Sequence, residues 1–123
     1  MLVEKPIAST VEEGREIIGA AKKAGITLMV GHVERFNPAV KAIKDALVNE
    51  DILSVAITRV GPFPPRMGEV GVVIDLAVHD IDIIRHLTDS EIIEVQPQLA
   101  RTRAEREDTA LLQFRLENGV IAH

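Results

Sequence analysis

The stretch MLVEKPIASTVEEGREIIGAAKKAGITLMV, residues 1–30, decides the fold class. Met1-Leu2-Val3-Glu4 is a short strand-like run that reaches Lys5-Pro6, where proline cannot continue a ladder. Ser9-Thr10-Val11-Glu12-Glu13 has the pattern of a capping box, with Thr10 as N-cap and Glu13 three residues on, so two orphan helix donors are satisfied reciprocally. The spacing predicts a helix from about Val11 to Ala24, with Ile17, Ile18, Ala21 and Ala24 as its buried stripe. Lys22 and Lys23 fall in the last turn, where the dipole favours cations, and Gly25 suits a left-handed C′ position. Ile26-Thr27-Leu28-Met29-Val30 then reads as a buried strand. Strand, helix, strand is the tail of a parallel α/β unit, and with nothing ahead of the first strand it reads as the middle of a longer chain.

Outward from that unit the pattern changes. Asn37-Pro38 pairs an N-cap with a proline at N1, so a helix is expected from Pro38 to near Asn49 with Val40, Ile43 and Leu47 inward. Leu53 to Val60 reads as a strand, Gly61-Pro62-Phe63-Pro64-Pro65-Arg66 as a stiff loop, and Val70 to Leu87 as a third helix. Strands follow near Ile92–Ala100 and Thr109–Leu116. Glu117-Asn118-Gly119 predicts a tight hairpin turn, since Asn-Gly accepts positive φ at both central positions, with Val120-Ile121-Ala122-His123 as the return strand. That last strand has no partner after it, which again reads as truncation. The expected fold is α+β: residues 1–31 are the end of a parallel α/β domain, and residues 32–123 a mostly antiparallel open sheet covered on one face by helices. The other face is expected to expose alternating Val, Leu and Ile and to pair with a second copy, giving a homo-oligomer.

Composition narrows the function classes. The chain has 123 residues, 14 Lys+Arg against 19 Asp+Glu, 46% hydrophobic residues and no Cys, Trp or Tyr. Without cysteine there is no disulfide framework, zinc ribbon or cysteine nucleophile. Net acidity and scarce aromatics argue against nucleic acid. No apolar run approaches the roughly 18 residues of a membrane span, nothing reads as a signal peptide, and a cytoplasmic protein is the expectation.

The residues with chemistry in them cluster on the third predicted helix. Asp75, His79, Asp82 and His86 are spaced four, three and four, which at 100° per residue places them within roughly 60° on a wheel otherwise lined by Val, Leu and Ile. Such a stripe is either a set of surface Asp–His pairs or a site in which an Asp one turn before a His fixes its tautomer or binds a hydroxyl while the His moves a proton. The dipeptide His79-Asp80 also allows a metal-dependent hydrolase. Lys5, and then His32 and Arg35, follow apolar strands, where open α/β sheets bind ligands. Solvent exposure for Lys5 and salt bridges from Arg35 to Glu34 or Glu4 are the plainer alternatives. Arg59 and Arg66 are candidate anion contacts. No two of the eight glycines stand one residue apart, so a Gly-x-Gly-x-x-Gly turn is absent.

In order, Glu4-Lys5-Pro6, Gly31-His32-Val33-Glu34-Arg35-Phe36-Asn37-Pro38 and Asp75-x-x-x-His79 resemble the glucose-fructose oxidoreductase/inositol dehydrogenase (Gfo/Idh/MocA) family over essentially the whole chain. The stretch Gly61–His86 is most similar to the family's UDP-N-acetylglucosamine 3-dehydrogenase-like members. The resemblance implies a Rossmann domain that binds NAD or NADP, of which residues 1–31 would be the last strands and helix, and a partial substrate and oligomerisation domain over 32–123. It implies that Glu4, Lys5 and Pro6 lie at the cofactor and that Lys5 approaches the reacting hydroxyl. It also implies that Asp75 orients a sugar, that His79 takes the hydroxyl proton, and that His32, Arg35, Asn37 and Arg66 contact substrate. The expected activity is oxidation of a hydroxyl of a sugar or nucleotide sugar in the full-length enzyme. This chain alone is expected to be inactive and to hold no nicotinamide. A non-catalytic dimerisation or binding module of the same fold is the alternative. In other members glycines precede the Asp; here Val72-Val73-Ile74 follow Gly71.

Overall fold

A computed structural model describes residues 1–62 and 70–123; the expected loop contact Arg66 and most of the proline-rich loop lie outside the described residues. The chain forms two compact units, Met1–Val33 and Glu34–His123. No helix among the described residues is long and apolar enough to cross a membrane.

In the first unit β1 (Leu2–Glu4) and β2 (Met29–Gly31) pair in parallel, with Glu4 opposite Gly31, and α1 (Val11–Lys23) connects them. Both halves of the capping box form: Thr10 Oγ1 accepts from Glu13 N at 3.2 Å and Glu13 Oε2 from Thr10 N at 3.1 Å. Gly25 takes the left-handed conformation at φ 65°. The buried stripe is narrower than expected. Gly14 and Ala21 are buried and Ile17 is half-buried, while Ile18 is 43% exposed and Ala24 is exposed, because two three-residue strands offer little surface to cover. The second strand begins at Met29 rather than Ile26, since pairing with so short a β1 starts there.

In the second unit α2 (Pro38–Ala46) starts on an Asn37 cap, whose Oδ1 accepts from Ala39 N at 3.0 Å. It stops short of Asn49; Val40 is buried and Leu47 half-buried, but Ile43 is 48% exposed. β3 (Ser54–Val55), β4 (Ile92–Ala100), β5 (Thr109–Leu116) and β6 (Ile121–Ala122) form one sheet in the order β3-β6-β5-β4. Pairing is antiparallel except between β3 and β6. The expected eight-residue strand from Leu53 shrinks to two because its single neighbour, β6, is itself that short; Val60 is 89% exposed. Pro97 sits in β4, a sheet edge, where a missing N–H is tolerated.

The β5–β6 turn differs from the Asn-Gly hairpin expected. Gly119 has φ 90° but Asn118 is not in the positive-φ region. Gly119 N donates to Leu116 O at 3.0 Å and Leu116 N to Val120 O at 2.9 Å, the pattern of a three-residue loop closed by a left-handed glycine. Asn118 instead works through its side chain: Oδ1 accepts from Val120 N at 3.2 Å and Nδ2 donates to Thr88 O at 3.3 Å. The turn is thus tied to the end of α3 (Val78–Thr88), and a distant carbonyl decides its geometry.

α3 lies on one face of the sheet. Ile84 and Leu116, each 1% exposed, with Phe114, Val120 and Ala122 make the core, and Ile81, Ile92, Leu112 and Val55 pack against it. The opposite face is less apolar than expected. Outward positions of the central strands are Leu111, Gln113, Arg115 and Ile121, and Arg115 Nε reaches Glu94 Oε2 at 2.8 Å across the ladder. The alternating Val, Leu and Ile of β4 do not line that face, because Val95 and Leu99 stand opposite Phe114 and Ala110, on the helix side.

Three carboxylates sit below their ordinary range: Glu94 through hydrogen bonds from Arg115 and Gln96, Glu91 through hydrogen bonds from Arg85, and Asp108, where desolvation is outweighed by the backbone donors Arg103 and Thr102. A lowered folded-state value contributes stability above the ordinary carboxylate range, which is lost as pH falls through the lowered value. Melting temperature should therefore decline as pH drops below that range, and Asp108→Asn should flatten the decline when melting is followed against pH.

Candidate functional site

Gly71, at φ 89° and buried, opens the segment that carries Asp75. Its conformation lets the Glu107 carboxylate approach so closely that a Cβ at Gly71 would stand 2.3 Å from Oε1. Val72 N donates to Glu107 O at 2.8 Å, and Asp75 N to Gly71 O at 3.1 Å. Gly71 provides this close approach. Gly71→Ala should cost about 1–2 kcal/mol, set by the left-handed φ, since the end of the Glu107 side chain can move aside; denaturant unfolding measures it.

Residues Val73–Ala77 form a π-helical turn, with Val78 N donating to Val73 O, before α3 continues as a regular helix. Wide turns of this kind cost hydrogen-bond geometry and recur at functional sites. The turn also breaks the expected four-residue stripe. The 100° spacing does not run through Asp75, and Asp82 is 3% exposed rather than at the surface. Arg35, on the 3-10 turn Val33–Phe36, grips Asp82 with both arms, Nε to Oδ2 at 2.8 Å and Nη2 to Oδ1 at 2.6 Å. Its guanidinium is held charged above its usual range by that hydrogen bond, against desolvation. Asp80 makes the same fork with Arg59, at 3.0 and 2.8 Å.

His86 lies in the last turn, where its carbonyl accepts from Lys44 Nζ at 2.7 Å; Lys44 also bonds the Asp89 carboxylate. Asp75 and His79 remain, half-buried, on the π turn and the first turn of α3. Among the described residues no group of three or more His, Asp or Glu converges to hold a metal. The carboxylate of His79-Asp80 is engaged by Arg59.

In the first unit, Lys5 and His32 leave β1 and β2 one residue beyond the paired Glu4 and Gly31, so both emerge at the C-terminal edge of the parallel pair. Both are half-buried, whereas Glu4 and Pro6 are exposed. Asn37 is occupied at both ends of its amide, as the α2 cap and through Nδ2 to Glu34 Oε2 at 3.0 Å. Arg35 retains a 39% exposed side chain beside its fork to Asp82. The sequence reading missed Glu107, the Arg35–Asp82 fork and the Arg59–Asp80 fork. The partners are 47 and 21 residues apart, and no local spacing signals them.

Residues 51–123 match the GFO/IDH/MocA C-terminal domain. Over 122 residues the chain is 31% identical to the UDP-N-acetylglucosamine 3-dehydrogenase of Acidithiobacillus ferrooxidans, covering 99% of this chain and 39% of that protein. It is 27% identical to the myo-inositol 2-dehydrogenase of Thermotoga maritima, over 96% of this chain and 39% of that one. A solved structure of the Acidithiobacillus ferrooxidans enzyme superposes with a TM-score of 0.85 at 30% identity, covering 98% of this chain and 40% of the other. The chain therefore spans about two fifths of the relatives it matches.

Proposed function

The chain belongs to the GFO/IDH/MocA family, and from that premise we propose that it is the partial catalytic domain of an NAD(P)-dependent oxidoreductase that oxidises a hydroxyl group of a sugar or nucleotide sugar. The observation that carries this reading is the placement of Asp75 and His79 on consecutive turns at a π-helical opening. A carboxylate there orients hydroxyl groups, and an imidazole, a side chain suited to general-base work, takes the hydroxyl proton. The similarity to a nucleotide-sugar dehydrogenase supports UDP-N-acetylglucosamine, at its 3-hydroxyl, as the first substrate to try.

The parallel pair β1–β2 ends at Glu4 and Gly31, and the Glu4 carboxylate lies 3.3 Å from where a Gly31 Cβ would stand. The close-packed edge fits the nicotinamide end of a dinucleotide, with Glu4, Lys5 and Pro6 to hold it, and no glycine pair in this chain fits the pyrophosphate. When bound, the nicotinamide supplies the hydride acceptor. Lys5 contributes a cation to the developing alkoxide, while His32, Arg35, Asn37 and Arg66 bind substrate. Since Arg35 and Asn37 are also bonded within the second unit, their share in binding is coupled to the positions of α3 and α2.

A second copy pairs on the open sheet face, whose Gln96, Gln113, Arg115 and Ile121 line a concavity of about 560 Å³. Sedimentation showing only monomer at tens of micromolar would contradict that.

The deciding experiment offers the whole protein that carries this chain NAD+ and NADP+ with UDP-N-acetylglucosamine, other UDP-sugars, free sugars and inositols, and follows nicotinamide absorbance. Turnover of at least one is expected. None, with cofactor bound, would leave a non-catalytic binding or dimerisation module. For this chain alone, calorimetric binding of NAD+ or NADP+ at micromolar affinity would contradict the assignment of the pyrophosphate grip to residues outside it.

A further inference from the structure

We propose that the β4–β5 loop, residues 101–108, is an anion-binding arm that grips the diphosphate of a nucleoside diphosphate substrate beside the turn carrying Asp75. This rests on the sugar-oxidising reading above and extends it to a substrate class. The first observation is an asymmetry among the arginines. Arg35, Arg59, Arg85 and Arg115 each place two nitrogens on a carboxylate. Arg101, Arg103 and Arg106, within six residues of one another, are exposed, and their guanidinium groups bond no side chain among the described residues. In a chain with 19 acidic against 14 basic residues, partners are in excess; apart from Arg15, exposed on α1, these three on one loop are the described arginines outside such a fork.

The second observation is that the loop is built rather than loose. Asp108 turns inward, accepting from Thr102 N at 3.0 Å, Arg103 N at 2.6 Å and Thr102 Oγ1 at 2.9 Å, and its own N donates to Ala100 O at 3.1 Å. The Glu107 carboxylate lies packed close against Gly71. Of the loop's carboxylates only Glu105 is exposed against the three cations. The third observation is location: Glu107 O holds Val72 N, and Gly71 O holds Asp75 N, so the arm is bonded to the start of the segment that carries Asp75. Guanidinium groups recognise phosphate by paired, charge-assisted hydrogen bonds, and a preordered loop loses little entropy in offering them.

The test compares the whole protein with its Arg101→Gln/Arg103→Gln/Arg106→Gln variant, titrating UDP and NAD+ separately by calorimetry. Because these guanidinium groups bond no side chain among the described residues, melting should be unchanged; a triple lysine variant, which keeps the charges, should recover part of the affinity. UDP should bind at least about tenfold more weakly to the glutamine variant, wild-type affinity should fall with salt, and NAD+ should bind equally to both. Equal UDP affinity in the two proteins, or no UDP binding by wild type, overturns the arm. Weakened NAD+ with UDP intact also overturns it, since the loop would then serve the dinucleotide. If wild type binds UDP through the arm yet oxidises no sugar, the oxidoreductase reading fails and the arm stands. Turnover of a nucleotide sugar with UDP affinity untouched by the substitutions does the reverse.

Discussion

Replacing His79 by asparagine in the whole protein is expected to lower turnover by roughly a hundredfold or more with little change in cofactor affinity. Oxidation of a hydroxyl requires its proton to leave as hydride does, and histidine is the side chain whose ordinary titration range suits that transfer near neutral pH. Four histidines compete for the role. His86 sits in the last turn of α3, two turns beyond His79, and His123 pairs through its backbone with Val55 and Ile57 beside β3. His32, half-buried after β2, is the remaining rival. His79 is favoured because Asp75 lies one turn before it on the π-helical opening. His32→Asn should therefore do less. Near-normal turnover in His79→Asn together with its loss in His32→Asn would reassign the base and make the Asp75–His79 pair structural.

Removing the Arg35 side chain as Arg35→Ala should destabilise the second unit by about 3 kcal/mol. That is the lower end for breaking a buried ion pair, because the arginine keeps part of its surface in water while Asp82 is 3% exposed. The loss comes from removing two charge-assisted hydrogen bonds from a desolvated carboxylate. Adding Asp82→Asn to Arg35→Ala should then recover a measurable part of it, and a double-mutant cycle in urea separates the coupling from the two single effects. Simple additivity of the two substitutions would mean that the fork contributes no coupling. Arg35→Lys should recover little, since one ammonium cannot reproduce two parallel bonds. Arg35 leaves a 3-10 turn and Asp82 lies on the helix of His79, so the same substitution should also raise KM if the fork sets where α3 presents that imidazole.

What the sequence determined by itself was whatever a few neighbouring residues can enforce. Thr10 with Glu13 closed a capping box, Asn37 with Pro38 started a helix, and the alternation over 92–100 and 109–116 fixed two strands at the residues the structure shows. The ordered motifs at Lys5, Arg35 and Asp75 were enough to resemble the family that residues 51–123 match. These signals are legible because capping and pleat periodicity act over three or four residues and need no distant partner. The tertiary structure decided the rest. Asp82 left the expected polar stripe because Arg35, 47 residues away, reaches it. Asn118 avoided positive φ because Thr88 O and Val120 N engage its amide. Gly71 took its left-handed conformation under Glu107, which arrives 36 positions later on a loop that Asp108 holds in shape. In each case a bond formed only after the sheet and α3 had packed outweighed a local preference of about 1 kcal/mol or less, and no window of sequence contains both partners.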